Sequence, residues 1–73
     1  MIDRMIAKRK QLGMSQAALG KALGTSQEMI SMVEAGRKLL PKELSAFVAR
    51  WLRTGKLPTP DELKARKQSN PGR

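Results

Sequence analysis

The sequence predicts an all-α fold: one compact domain of four to five short helices, the second and third joined by a very tight turn. Three observations predict it. Apolar residues recur at three- and four-residue intervals, most clearly Leu44, Phe47, Val48, Trp51 and Leu52. Helix starts and stops punctuate the chain, with Ser15 and Ser26 as N-caps and Gly13, Gly24, Gly36 and Gly55 as terminators. Finally, 73 residues suffice for a single modest core.

The first helix runs from Ile2 to Leu12. Ile2, Met5, Ile6 and Leu12 make its apolar stripe, while Asp3, Arg4, Lys8, Arg9 and Lys10 fall mostly elsewhere. Ser15 opens a second helix over 16–23, with Leu19 and Leu23 one turn apart and Ala18 and Ala22 as small packing residues. Gly20 inside it costs about 1 kcal/mol relative to alanine, which is either tolerated or favoured by close helix packing. Gly24 stops this helix and Thr25 with Ser26 restarts the chain, so the third helix, 26–35, follows at once with Ile30 and Val33 inward. Pro41 suits the first turn of the fourth and most strongly amphipathic helix, which Gly55 ends. LPTP is extended, Thr59 or Pro60 can open a short last helix over 59–68, and SNPGR is a frayed tail. The expected organisation is a core domain at 1–54 and a basic C-terminal extension at 55–73.

Charge narrows the function classes. Lys plus Arg number 15 against 6 Asp plus Glu, a net charge of +9, and the pI is about 11.0, so nucleic acid or an anionic membrane is the natural partner. There is no Cys and no His, which removes disulfides, Cys/His metal sites and His-based acid–base catalysis. The carboxylates are scattered, so neither an enzyme, nor a cofactor, nor a metal is expected. Apolar runs are too short to span a bilayer, and MIDRMIAKRK lacks the apolar block of a signal peptide, so a cytoplasmic, nucleoid-associated protein is expected.

A helix, a tight glycine turn and a second helix, with one helix ahead and one behind, is the layout of a helix-turn-helix DNA reader. KRKQLGMSQAALGKALGTSQEMISMVEAGRK carries Leu12-Gly13, Ser15-Gln16, Leu19, Leu23-Gly24-Thr25, Ile30 and Glu34-Ala35-Gly36 at fixed offsets. In these residues the chain resembles the Cro/repressor (XRE-like) family of bacterial and phage helix-turn-helix regulators, closely over about residues 8 to 42. The resemblance implies a lambda-repressor-like fold, DNA binding, Gln16 as a phosphate anchor, and a pair between Arg9 and Glu34 that ties the first helix to the third. It also implies a larger residue than Gly20, polar residues where Met29 and Met32 stand, and a fifth helix sooner after the fourth than LRTGKLPTP allows.

With Ile30 and Val33 inward, Gln27, Glu28, Ser31 and Met32 occupy the opposite arc of the third helix and are the candidate base contacts. The Gln27 amide can pair with adenine N6 and N7. Glu28 has two readings of equal standing: an acceptor for cytosine N4, or the partner of Thr25 in a capping box. Met32 can meet a thymine methyl, whereas Met29 belongs to the frame. Candidate phosphate contacts are Arg9 near the end of the first helix, Ser15, Gln16 and Ser26 at two helix N-termini, and Arg37, Lys38 and Lys42 along the segment after the third helix. Lys64, Arg66, Lys67 and Arg73 form a basic tail. Residues left over from a small core, Leu40, Trp51, Leu52 and Leu57, are candidates for a two-fold dimer seam.

The function expected is a sequence-specific transcriptional regulator, most simply a repressor that binds a palindromic operator as a homodimer. Its partner is double-stranded DNA. The alternative is an antitoxin or another protein-interaction module that regulates its own operon and holds a protein partner. A membrane-active basic peptide would be one long amphipathic helix, against which the repeated caps argue.

Overall fold

Each break in the helical pattern has a physical agent in the computed structural model, which describes residues 1–68. Five helices follow in order: α1 (Ile2–Gln11), α2 (Gln16–Leu23), α3 (Gln27–Glu34), α4 (Lys42–Thr54) and α5 (Pro60–Gln68), with no strand among the described residues. The Ser15 hydroxyl accepts from Ala18 N at 3.0 Å, and the Ser26 hydroxyl accepts from Met29 N at 3.0 Å, so α2 and α3 begin on serine caps. Between them Gly24 adopts φ 76°, ψ 29°, a left-handed conformation that turns the chain within two residues and that side chains with a Cβ resist. Pro41 is the N-cap of α4, one position ahead of the first turn. The expected tail Ser69–Arg73 lies outside the described residues, as do the side chains of Arg66 and Lys67.

α3 packs chiefly on α2, and both α3 and α4 pack on α1. Met5, Leu19, Leu23, Ile30, Val33, Leu44, Val48 and Trp51 form one core shared by the first four helices. Gly20 explains the closeness of α2 and α3: a Cβ built there would lie 2.8 Å from the Ser26 carbonyl oxygen. Close packing is therefore the reason for that glycine.

Three expectations are corrected. Leu12 is 55 % exposed at the C-terminus of α1, and Arg9, one turn after Met5, takes its place on the buried face. Ala18 is exposed rather than packed. Trp51 is only 1 % exposed and belongs to the core, where the Lys8 ammonium lies 5.9 Å from its ring centroid. Trp51 cannot serve a dimer seam, because the monomer has already used its surface.

α5 is fastened to α4 by the paired hydrogen bonds from Arg50 to both Glu62 oxygens, at 2.5 and 2.7 Å. Thr59 and Glu62 add a capping box: Thr59 N donates to Glu62 Oε1 at 2.8 Å and Glu62 N donates to Thr59 Oγ1 at 3.2 Å. These bonds, led by the one from Arg50, hold the Glu62 carboxyl down to a pKa of about 2.

Candidate nucleic-acid interface

α3 is buried along one side by Ile30 and Val33, with Met29 half-buried against the core. The other side carries Gln27, Glu28 and Ser31, all exposed, and the half-buried Met32 at its rim. Among the described residues no hydrogen bond engages the Gln27, Glu28 or Ser31 side chains, so their polar atoms are available to base edges. The Glu28 capping box is not formed. Ser26, not Thr25, is the cap, which moves the third helical position to Met29 and leaves Glu28 one residue short of the register that the box requires.

At the start of α2 and of α3 lie the expected phosphate anchors. The Ser15 and Ser26 oxygens accept from backbone N–H groups, yet each hydroxyl retains its proton as a donor. The first-turn amides and the positive ends of the helix dipoles lie at these same two helix starts. Gln16 is half-buried, with Nε2 donating to Glu34 Oε1 at 3.0 Å.

Arg9 forms the expected pair with Glu34. Its Nε donates to Glu34 Oε2 at 2.7 Å, Nη2 to Glu34 Oε1 at 2.9 Å and Nη1 to the Met14 carbonyl at 2.8 Å. The pair is sheltered, with side-chain exposures of 11 % and 8 %. Arg9 is therefore an internal brace joining α1, the following turn and α3, with three of its five N–H donors engaged. Burial by itself raises the Glu34 carboxyl; the hydrogen bonds from Arg9 and Gln16, with the charges of Arg9 and Lys10, outweigh it and leave the pKa below the ordinary carboxylate value.

Beyond α3, Gly36 N donates to Val33 O at 3.1 Å and Arg37 N to Met32 O at 2.8 Å, which finishes the helix and redirects the chain. Arg37, Lys38 and Lys42 are exposed and make no ion pair among the described residues. Their charges are not spent internally. The same segment holds Leu39, 91 % exposed, which belongs to none of the apolar stripes read from the sequence. Leu40, Leu52 and Leu57 are half-buried and lean on the core.

Two features escaped the sequence reading. The Gln16–Glu34 bond joins residues 18 positions apart, and nothing local signals it. The Arg50–Glu62 clasp, 12 positions apart, has no local signal either, although the Thr59–Glu62 capping box beside it had one in the Thr59-x-x-Glu62 spacing.

A family model described as helix-turn-helix matches residues 5–50, more than half of the chain. No curated protein and no solved structure matches it. Among the described residues no helix is long and apolar enough to cross a membrane.

Proposed function

The chain belongs to the Cro/C1-type helix-turn-helix family of DNA-binding transcription regulators, and from that premise we propose that it is a repressor that binds a palindromic operator as a homodimer. One observation carries the reading. α3 presents Gln27, Glu28 and Ser31 with no side-chain partner among the described residues, between two serine-capped helix starts and Arg37, Lys38 and Lys42, likewise without an ion pair there. The basic residues supply affinity for the phosphate backbone, and the uncharged or acidic residues of α3 discriminate among bases. Gln27 reads adenine, Glu28 accepts from cytosine N4, and Met32 touches a thymine methyl at the rim. Ser15, Gln16 and Ser26 anchor phosphates on one side of the groove, with Arg37, Lys38 and Lys42 on the other. Leu40, Leu52 and Leu57 contribute the dimer seam. The protein works at the nucleoid without catalysis, cofactor or metal.

Footprinting on the DNA around its own gene tests this. A protected inverted repeat is expected, with half-sites about 10 to 10.5 base pairs apart or a multiple of that. No protected repeat at concentrations that leave random DNA free would overturn it. Gln27→Ala should lose about 1 to 3 kcal/mol on the operator and little on random DNA, whereas Lys38→Ala should weaken both and lower the salt slope by about 1. A second reading, an antitoxin or other protein-interaction module, draws on the exposed Leu39 and on the groove between α1 and α4 lined by Met1, Arg4, Ala49, Leu52 and Arg53. Co-purification with the product of an adjacent gene would favour it.

A further inference from the structure

Gln16 occupies the junction of the structural brace and the proposed DNA surface. Its Nε2 donates to Glu34 Oε1 at 3.0 Å, the same oxygen that accepts from Arg9 Nη2 at 2.9 Å. The amide nitrogen of glutamine carries two hydrogens, and this bond uses one. Glu34 would ordinarily be a poor neighbour for a phosphate anchor, because its charge repels DNA. Here Arg9 neutralises it through two hydrogen bonds, at 2.7 and 2.9 Å, and the carboxylate is 8 % exposed. A free glutamine spreads over many rotamers and must be ordered on binding. One tethered to a sheltered carboxylate is ordered beforehand.

We infer that Glu34 is a positioning residue for DNA binding, which holds the Gln16 amide by one Nε2 hydrogen and leaves the other for a phosphate at the N-terminus of α2. This rests on the reading of α2 and α3 as a DNA surface. It assigns Glu34 a role beyond bracing: the contact that ties α1 to α3 also sets the geometry of an anchor on α2. Gln16 is then a pre-ordered donor, unlike Gln27, which has no side-chain partner among the described residues.

The first test uses the wild-type protein, so no variant needs to fold. Nitrogen-15 relaxation of the side-chain amides should show Gln16 nearly as ordered as the backbone, at about 0.85, and Gln27 below about 0.6. A Gln16 amide as mobile as that of Gln27 overturns the inference whatever the DNA measurements show. The second test is a cycle on a random-sequence duplex, since phosphate contacts carry no sequence information. Gln16→Ala should weaken binding about tenfold, the scale of one charge-assisted hydrogen bond. Arg9→Met with Glu34→Leu removes one charge of each sign, so the net charge is unchanged, and such apolar replacement of a buried pair commonly preserves folding. It should free the Gln16 amide and cause a similar loss, with no further loss when Gln16→Ala is added. Additive losses would overturn the inference, because a purely structural brace acts independently of Gln16. If Gln27→Ala leaves operator binding intact while the cycle is non-additive, the base-reading proposal fails and the role of Glu34 stands. Absence of any DNA binding removes both.

Discussion

Replacing Gly20 by alanine sets two effects of known size against each other. On an ordinary helix the change stabilises by about 0.4 to 1 kcal/mol, through helix propensity and a less flexible unfolded chain. In this fold the new Cβ would stand 2.8 Å from Ser26 O, 2.9 Å from Ser26 C and 3.2 Å from Gln27 N, all backbone atoms. Relief to ordinary contact requires the α2–α3 turn to move by about 0.6 Å, and forcing one methyl into a packed site costs about 1 to 3 kcal/mol. Ser26 is not free to yield, because its carbonyl accepts from Ile30 N at 3.2 Å and its hydroxyl holds Met29 N. Steric cost therefore exceeds the propensity gain, and the net effect is a destabilisation of about 1 kcal/mol, with thermal unfolding about 4 to 8 °C lower in a domain of this size. Because the displaced atoms include the backbone of Gln27, operator affinity should fall further than affinity for random DNA. Circular dichroism melts and paired binding titrations read the two effects. A melting point equal to or above that of the wild type would refute the reasoning, since it would mean that the turn relaxes at no cost.

Ser26→Ala should cost about 1 kcal/mol in urea unfolding by removing the α3 cap, while Thr25→Ala costs clearly less; equal effects would mean that the cap register is wrong. Arg9→Met strands the Glu34 carboxylate without its partner and should cost about 3 to 5 kcal/mol, most of it recovered on adding Glu34→Leu. For Glu62 the folded pKa of about 2 lies below an unfolded value of about 4.3, so the folded chain binds fewer protons between these limits. Its stabilisation is complete above about pH 4.3 and is lost as the pH falls through about 2. In Glu62→Gln the urea midpoint should fall less steeply across that window, and an unchanged slope would dismiss the clasp as a contributor.

The clearest failures of the sequence reading share one origin. Arg9 and Leu12 are both near the α1 stripe, and hydropathy favours the leucine; the fold buries the arginine because Glu34, 25 positions away, satisfies its donors. Trp51 reads as surplus on a wide apolar face, yet α1 closes over α4 and the indole is buried. Leu39, outside every apolar stripe of the sequence, is the most exposed large apolar side chain described.

The sequence by itself determined the helices, their terminators, the positive field and the arc of α3 that faces outward. Those properties depend on spacing within a turn or two and on summed charge, both of which are local or additive. Only the tertiary structure decided which oxygen caps α3, whether Gly20 is a packing requirement, and how deeply the Arg9–Glu34 pair is sheltered. It also decided that Gln16 is tethered to Glu34 and α5 to Arg50. Each of these depends on where two remote backbones bring their side chains within about 3 Å, a distance that hydrogen bonding resolves and sequence periodicity does not.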